Sequence, residues 1–241
     1  MVEILMTQLD LGPAAVQEAA MLLSGDERLR ASRFVRARDR RRFTVARAEL
    51  RRRLGARLST PPHTIEFAYG RHGKPFLAGR QGRTGLRFSV SHCDGVGALA
   101  FATGREIGVD IEALRAVHDA DAIAARLCSA VEWRAYESLA AHQKLRGFLN
   151  WWTRKEAVVK AHGGGLCQPL DTFDVSLAPG APARLLRVAG TGGEDAGWAL
   201  HAFAPGPHLV GAVAFATAGV ERVVVHPLTP PADPGHWAES A

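Results

Sequence analysis

Lysine is almost missing from this chain. It occurs only at Lys74, Lys144, Lys155 and Lys160, against 26 arginines in 241 residues. Where positive charge is written so consistently as arginine, a lysine stands out as a place that wants a compact ammonium instead of a planar fork. Cysteine is scarce too. Cys93, Cys128 and Cys167 are odd in number, far apart and in no CxxC pair, which argues against a disulfide framework or a structural zinc and for a reducing compartment. Only two tyrosines are present, and the basic stretch carries no aromatic interleaving, so it lacks the pattern of a single-strand nucleic-acid binder. The longest apolar stretch, around HLVGAVAFATAGV, is too short to cross a bilayer and contains a histidine. The first residues, MVEILMTQLDLG, put acids where a signal peptide puts bases. These absences predict a cytoplasmic protein with no membrane partner.

What is present is an ordinary globular balance, 47% hydrophobic and 22% charged, long enough for one large domain or two small ones. The net charge of +6 is local, because thirteen arginines fall between Arg28 and Arg57. Such a stretch suits either a sizeable anionic ligand or a solvated helix face. Apolar residues at helical spacing predict two helices there, with a break near Asp39. Strand patterns follow at LRFSV, VGALAFA and IGVDIE, the last two expected as an antiparallel hairpin. Residues 116–146 read as helices with a turn near CSAVE. LRGFLNWWTRKEAVVKAH reads as a helix stopped by Gly163, Gly164 and Gly165. Five short strands and a frayed tail, TPPADPGHWAESA, come after it. Helices then strands, twice over, predict an α+β fold in two halves of similar build.

Three constellations could carry chemistry. In GVDIE, Asp110 and Glu112 are two apart on a strand and so share a face. Two carboxylates on one face suit a hard divalent cation such as Mg²⁺, or else are solvated acids at a strand end. On the long helix Glu156 lies four residues from Lys160 and about 100° around from Lys155. A half-buried Glu156 between two ammoniums could be a metal ligand, a general base, or both, and the alternative is an ordinary surface ion pair. In FSVSHC, Ser91 and His92 lack the elbow of a serine hydrolase, and a histidine at a strand end suits a phosphate better. GRHGKP holds Lys74 in a loop between Gly73 and Pro75, a plausible phosphate contact.

In this order and spacing, GKP at 73–75, FSVSH at 88–92, GVDIE at 108–112, WTRKEAVVKAHGGGL at 152–166 and PLDTFDV at 169–175 resemble the long, Sfp-like group of 4′-phosphopantetheinyl transferases. The resemblance implies two α+β halves related by a pseudo-twofold, residues 1–104 and 105–228 with a tail at 229–241, acting as a monomer with coenzyme A between them. It implies transfer of 4′-phosphopantetheine from coenzyme A to a serine of an apo acyl or peptidyl carrier protein, releasing 3′,5′-ADP. By carry-over, Asp110, Glu112 and Glu156 would hold Mg²⁺, with Mn²⁺ a possible substitute. Glu156 would take the serine proton, directly or through a metal-bound water. Lys155 and Lys160 would meet developing phosphate charge. His92, Ser91, Gly73, Lys74, Pro75 and Arg42 would contact coenzyme A, with Arg30 a further candidate, and Trp152 would pack the helix. Cys93 departs from the family's usual serine, and His162 has no role. The rival reading of the same acids and bases is a Mg²⁺-dependent nuclease or other phosphodiesterase.

Overall fold

The computed structural model describes residues 1–163, 169–188, 197–217 and 222–229. Its first half runs β1 (Val2–Gln8), α1 (Pro13–Met21), α2 (Gly25–Ser32), α3 (Ala37–Leu58), β2 (Phe67–Tyr69), β3 (Pro75–Leu77), α4 (Gly79–Gly82), β4 (Leu86–Cys93) and β5 (Val96–Thr103). The second half runs β6 (Ile107–Ala113), α5 (Ala120–Leu127), α6 (Ala130–Glu137), α7 (Ala141–His162), β7 (Phe173–Val175), β8 (Leu185–Val188), β9 (Trp198–Gly206), β10 (Leu209–Ala216) and β11 (Val223–Thr229). No described helix is long and apolar enough to cross a membrane.

Alternation along the strands builds the layers. One face of the sheet β11–β1–β5–β4 presents Leu5, Leu99 and Phe101 to Leu50 and Leu54 of α3. Its other face presents Ile4, Met6, Ala98 and Ala100 to Val109, Ile111, Val213 and Phe215 of the second sheet, β6–β10–β9. The second sheet then turns Val210, Ala212 and Ala214 towards Phe148, Trp151 and Val158 of α7. Each half therefore sets one 22-residue helix on one sheet, and the sheets meet back to back. This is the expected α+β fold of two similarly built halves.

Three details differ from the sequence expectations. The helical break lies at residues 33–36, before Asp39, because α2 stops at Ser32. The antiparallel hairpin is β4–β5, not β5–β6. Its two-residue turn, Asp94-Gly95, has both φ angles positive (46° and 78°), the geometry that matches strand twist and that Asp-Gly favours. After β5 the chain crosses to the other sheet, where β6 pairs with β10. Finally β11, assigned from the sequence to the second half, pairs in parallel with β1 at the edge of the first sheet. The stretch read as a frayed tail lies, apart from Thr229, outside the described residues, as do Gly164 and Gly165.

The later part of the arginine-rich stretch is absorbed by structure. Arg51 and Arg47 converge on buried Glu27 at 2.7 and 3.4 Å, Arg53 meets Glu49 at 2.6 Å, and Arg57 meets Glu3. Arg30 lies over the rings of Phe43 and Tyr69. Arg33, Arg36, Arg40 and Arg41 stay exposed at the start of α3 and just before it.

Candidate active site

The site forms where the two sheets meet. β4 and β6 share no main-chain ladder; instead the hydroxyls of Ser89 and Ser91 accept from the amides of Val109 and Ile111 at 3.1 and 3.4 Å. Side-chain hydrogen bonds replace backbone ones along this seam and give these two β6 amides their partners. On β6, Gly108, Asp110 and Glu112 point together at α7. A Cβ on Gly108 would sit 2.1 Å from the carbonyl oxygen of Ala157 and 2.3 Å from the amide nitrogen of Ala161. The helix backbone thus lies directly on the strand, one strand step from Asp110.

That contact sets the next pair. Lys160 donates to Asp110 Oδ1 at 2.6 Å and to the Ser91 hydroxyl at 3.3 Å, while Ser91 donates to the same Oδ1 at 2.8 Å. Asp110 is 4% exposed, and its Oδ2 has no hydrogen-bond partner among the described residues. One helical turn earlier stands Glu156, half-buried, with Oε1 likewise without a partner. Burial holds the Glu156 carboxyl above its ordinary pKa, opposed by Lys160 and reinforced by Asp110 and Glu112. Glu112 is raised in the same way, by burial and then by Asp110. The Cys93 thiol donates to Glu112 at 3.7 Å, and burial with the Glu112 charge pushes that thiol up to about 11.

The three carboxylates are therefore close enough to repel one another. Among the described residues no three His, Cys, Asp or Glu side chains converge tightly enough to hold a metal as they stand. The donor set nonetheless fits a hard divalent cation, since it is all oxygen and leaves two buried carboxylate oxygens without a partner.

Basic side chains gather beside the acids. His92, the last residue but one of β4, lies near Lys160 and Arg42; desolvation, then Lys160, then Arg42 lower its pKa, so the neutral ring is favoured near neutral pH. Arg42 is held by Asp10 through paired bonds of 2.7 and 2.6 Å. Lys74 reaches across from the first half and donates to Glu106 at 3.3 Å, to the Ile107 carbonyl at 3.1 Å and to the Ala161 carbonyl at 3.2 Å, at the C-terminal end of α7. Gly73, Lys74 and Pro75 line a cavity of about 220 Å³ that runs on to Ser89, Val159 and Lys160. An adjoining cavity of about 390 Å³ shares Lys74, Pro75 and Phe88 and adds Arg87 and Glu106. On the other side of Glu112, Trp152 with Phe148, Val117 and Ile123 lines a third, apolar cavity of about 320 Å³.

Lys155 is elsewhere, and this corrects its expected role. Its ammonium is fully buried on another side of α7, 2.7 Å from Glu132, and donates to the carbonyls of Leu170, at 2.6 Å, and Phe173. The 100° between neighbouring helical residues separates it from Glu156. Glu132 and Asp10 were not singled out from the sequence. Glu132 had a legible signal, the Ser-x-x-Glu capping box of S129-A-V-E132, whereas Asp10 had none. Arg30, stacked on Phe43 and Tyr69, and His162, stacked on Trp198 at 4.1 Å, make no bond to the acid cluster.

The site thus combines an all-oxygen acid cluster, Lys74 from the first half and Lys160 from the second, and adjoining cavities. Comparison with known proteins narrows its role. The model of the 4′-phosphopantetheinyl transferase superfamily matches residues 106–213, and that of the 4′-phosphopantetheinyl transferase N-terminal region matches residues 12–103. The chain is 36% identical over 211 residues to the 4′-phosphopantetheinyl transferase HetI of Nostoc sp., covering 88% of this chain and 86% of that one. It is 35% identical over 145 residues to a putative 4′-phosphopantetheinyl transferase of Synechocystis sp., covering 60% and 58%. A Bacillus subtilis 4′-phosphopantetheinyl transferase is 27% identical over 155 residues, covering 64% and 66%. The chain belongs to the 4′-phosphopantetheinyl transferase superfamily, and the nuclease alternative falls away.

Proposed function

We propose that this protein transfers 4′-phosphopantetheine from coenzyme A to a serine hydroxyl of an apo acyl or peptidyl carrier protein, acting as a monomer with Mg²⁺ held by Asp110, Glu112 and Glu156. The observation that carries the reading is the pair of buried oxygens without a partner among the described residues, Asp110 Oδ2 and Glu156 Oε1, set beside Lys160. Mg²⁺, or Mn²⁺ in its place, would neutralise pyrophosphate charge when bound. The chain's own groups do the rest. Arg42 and His92, with Ser91 beside them, hold the phosphates, while Gly73, Lys74 and Pro75 shape the cavity for the nucleotide end. Lys160 meets the charge that grows on the departing phosphate oxygen. The serine oxygen bonds to the phosphorus that carries pantetheine, the pyrophosphate P–O bond breaks, and 3′,5′-ADP leaves. Glu156, half-buried beside Asp110 and Glu112, accepts the serine proton, directly or through a water.

Intact-mass spectrometry of an apo carrier protein with enzyme, coenzyme A and Mg²⁺ tests this. A phosphopantetheine-sized gain, lost with Glu156→Gln and with EDTA, is the expected result. No gain on acyl and peptidyl carriers alike, from enzyme that binds coenzyme A, would overturn it.

A further inference from the structure

Three of the cations beside the site are already engaged by an acid: Arg42 by Asp10, Lys74 by Glu106 and Lys160 by Asp110. The third pairing differs from the others because its acid is itself a proposed metal ligand. Asp110 Oδ1 receives Lys160 at 2.6 Å and Ser91 at 2.8 Å, which leaves Oδ2 as the carboxylate's open face. The Lys160 side chain is 30% exposed and that of Asp110 is 6% exposed, so the ammonium sits at the mouth and the carboxylate behind it.

We infer that Lys160 is the resident counter-cation of Asp110, and that it holds metal affinity low until a pyrophosphate draws it away. An ammonium hydrogen-bonded to a carboxylate opposes the approach of a dication to that same carboxylate, because the like charges lie within a few ångströms in a partly desolvated site. Removing that ammonium without any ligand would leave Asp110, Glu112 and Glu156 as uncompensated neighbours, so Lys160 also relieves the repulsion among the acids. A polyanion entering the cavity that Lys160 lines offers its ammonium a second partner. As Lys160 turns to it, Asp110 is released to the metal. Binding of the two ligands is then coupled through one side chain, and the coupling runs both ways. The inference rests on the proposed metal role of Asp110 and goes beyond it, since it gives Lys160 a function in the free enzyme.

Mn²⁺ binding, read from the electron paramagnetic resonance of the free ion, tests this without turnover. In the absence of coenzyme A, Lys160→Met is expected to bind Mn²⁺ about ten-fold more tightly than the wild type, while Lys160→Arg, which keeps the charge, stays within about three-fold of it. Saturating coenzyme A should narrow the gap between Lys160→Met and wild type. If Lys160→Met does not fold, as judged by its melting curve, Lys160→Gln carries the same comparison. Equal or weaker Mn²⁺ binding by the neutral variant overturns the inference. So does a gap that coenzyme A leaves unchanged. Carrier modification by the wild type, measured alongside, separates the two readings: modification without the affinity gain sinks the counter-cation alone, and the gain without modification sinks the transfer alone.

Discussion

Replacing Lys155 by methionine keeps most of the stem and removes the ammonium, which isolates what that charge does. The Glu132 side chain is 0% exposed and keeps two amide donors, Ser129 at 3.1 Å and Val175 at 2.7 Å, but loses its ammonium partner, and the carbonyls of Leu170 and Phe173 lose their donor. A buried carboxylate stripped of its partner costs ~3–5 kcal/mol, so we expect a loss near ~4 kcal/mol, a large share of the ~5–15 kcal/mol that holds a typical domain together. With a urea slope of ~2 kcal/mol per molar, the unfolding midpoint should fall by ~2 M. Tryptophan fluorescence is a direct probe, because Trp151 and Trp152 lie on the same helix. Adding Glu132→Gln removes the stranded charge, and the double variant should recover most of the loss. Coenzyme A KM, measured on folded Lys155→Met, should stay near the wild-type value. A midpoint shifted by less than ~0.5 M, with a raised KM for coenzyme A, would refute the reasoning and return Lys155 to the phosphate site.

Gly108→Ala would drive a methyl into the α7 backbone, 2.1 Å from the Ala157 carbonyl oxygen, and no flexible side chain is there to yield. At ~3 kcal/mol of overpacking the melting temperature should drop by ~6–12 °C, with transfer activity falling as Asp110 and Lys160 part; unchanged melting and activity would count against the close approach. Asp174 offers a test against pH. Burial raises its carboxyl, but hydrogen bonds from Arg187 and Ser129 outweigh that and leave the folded pKa below the ordinary 3.8. A depressed folded pKa contributes stability that is fully present above the unfolded value and is lost as pH falls through the folded one. Wild type should therefore exceed Arg187→Ala in urea midpoint at pH 7, with the difference closing as pH drops below the unfolded value and on through the folded pKa; a constant gap would show that Arg187 acts otherwise.

The residues show why some of this was legible and some was not. Strand alternation was enough to place Asp110 and Glu112 on one face, and Gly163, with φ of 73°, ends α7 where a left-handed residue must. Both depend only on local geometry. The 100° step also separated Lys155 from Glu156, yet the shared charge of the two lysines suggested one destination. What parts them is Glu132, brought to α7 by the packing of α6, a tertiary contact no local pattern contains. Strand β1 escaped notice because VEILMTQ is buried on both faces and so shows no alternation. The hairpin was assigned to the wrong strands although the Asp-Gly turn marked the right one. The site's acid cluster was readable in the motifs; the acids that hold its cations, Asp10 and Glu106, were set by where separate strands and loops come to lie.

The parallel pairing of β11 with β1 bears on how this protein is made. Val223 aligns with Val2, so the second residue of the chain and one more than two hundred positions later are ladder neighbours. A ribosome releases β1 early and β11 late, and until then one edge of β1 stands bare. The first half is thus unable to complete its own sheet during synthesis, and a gene cut near residue 104 would yield an N-terminal fragment with an exposed edge strand, prone to join copies of itself. Supplying 223–229 in trans as a peptide is the natural remedy.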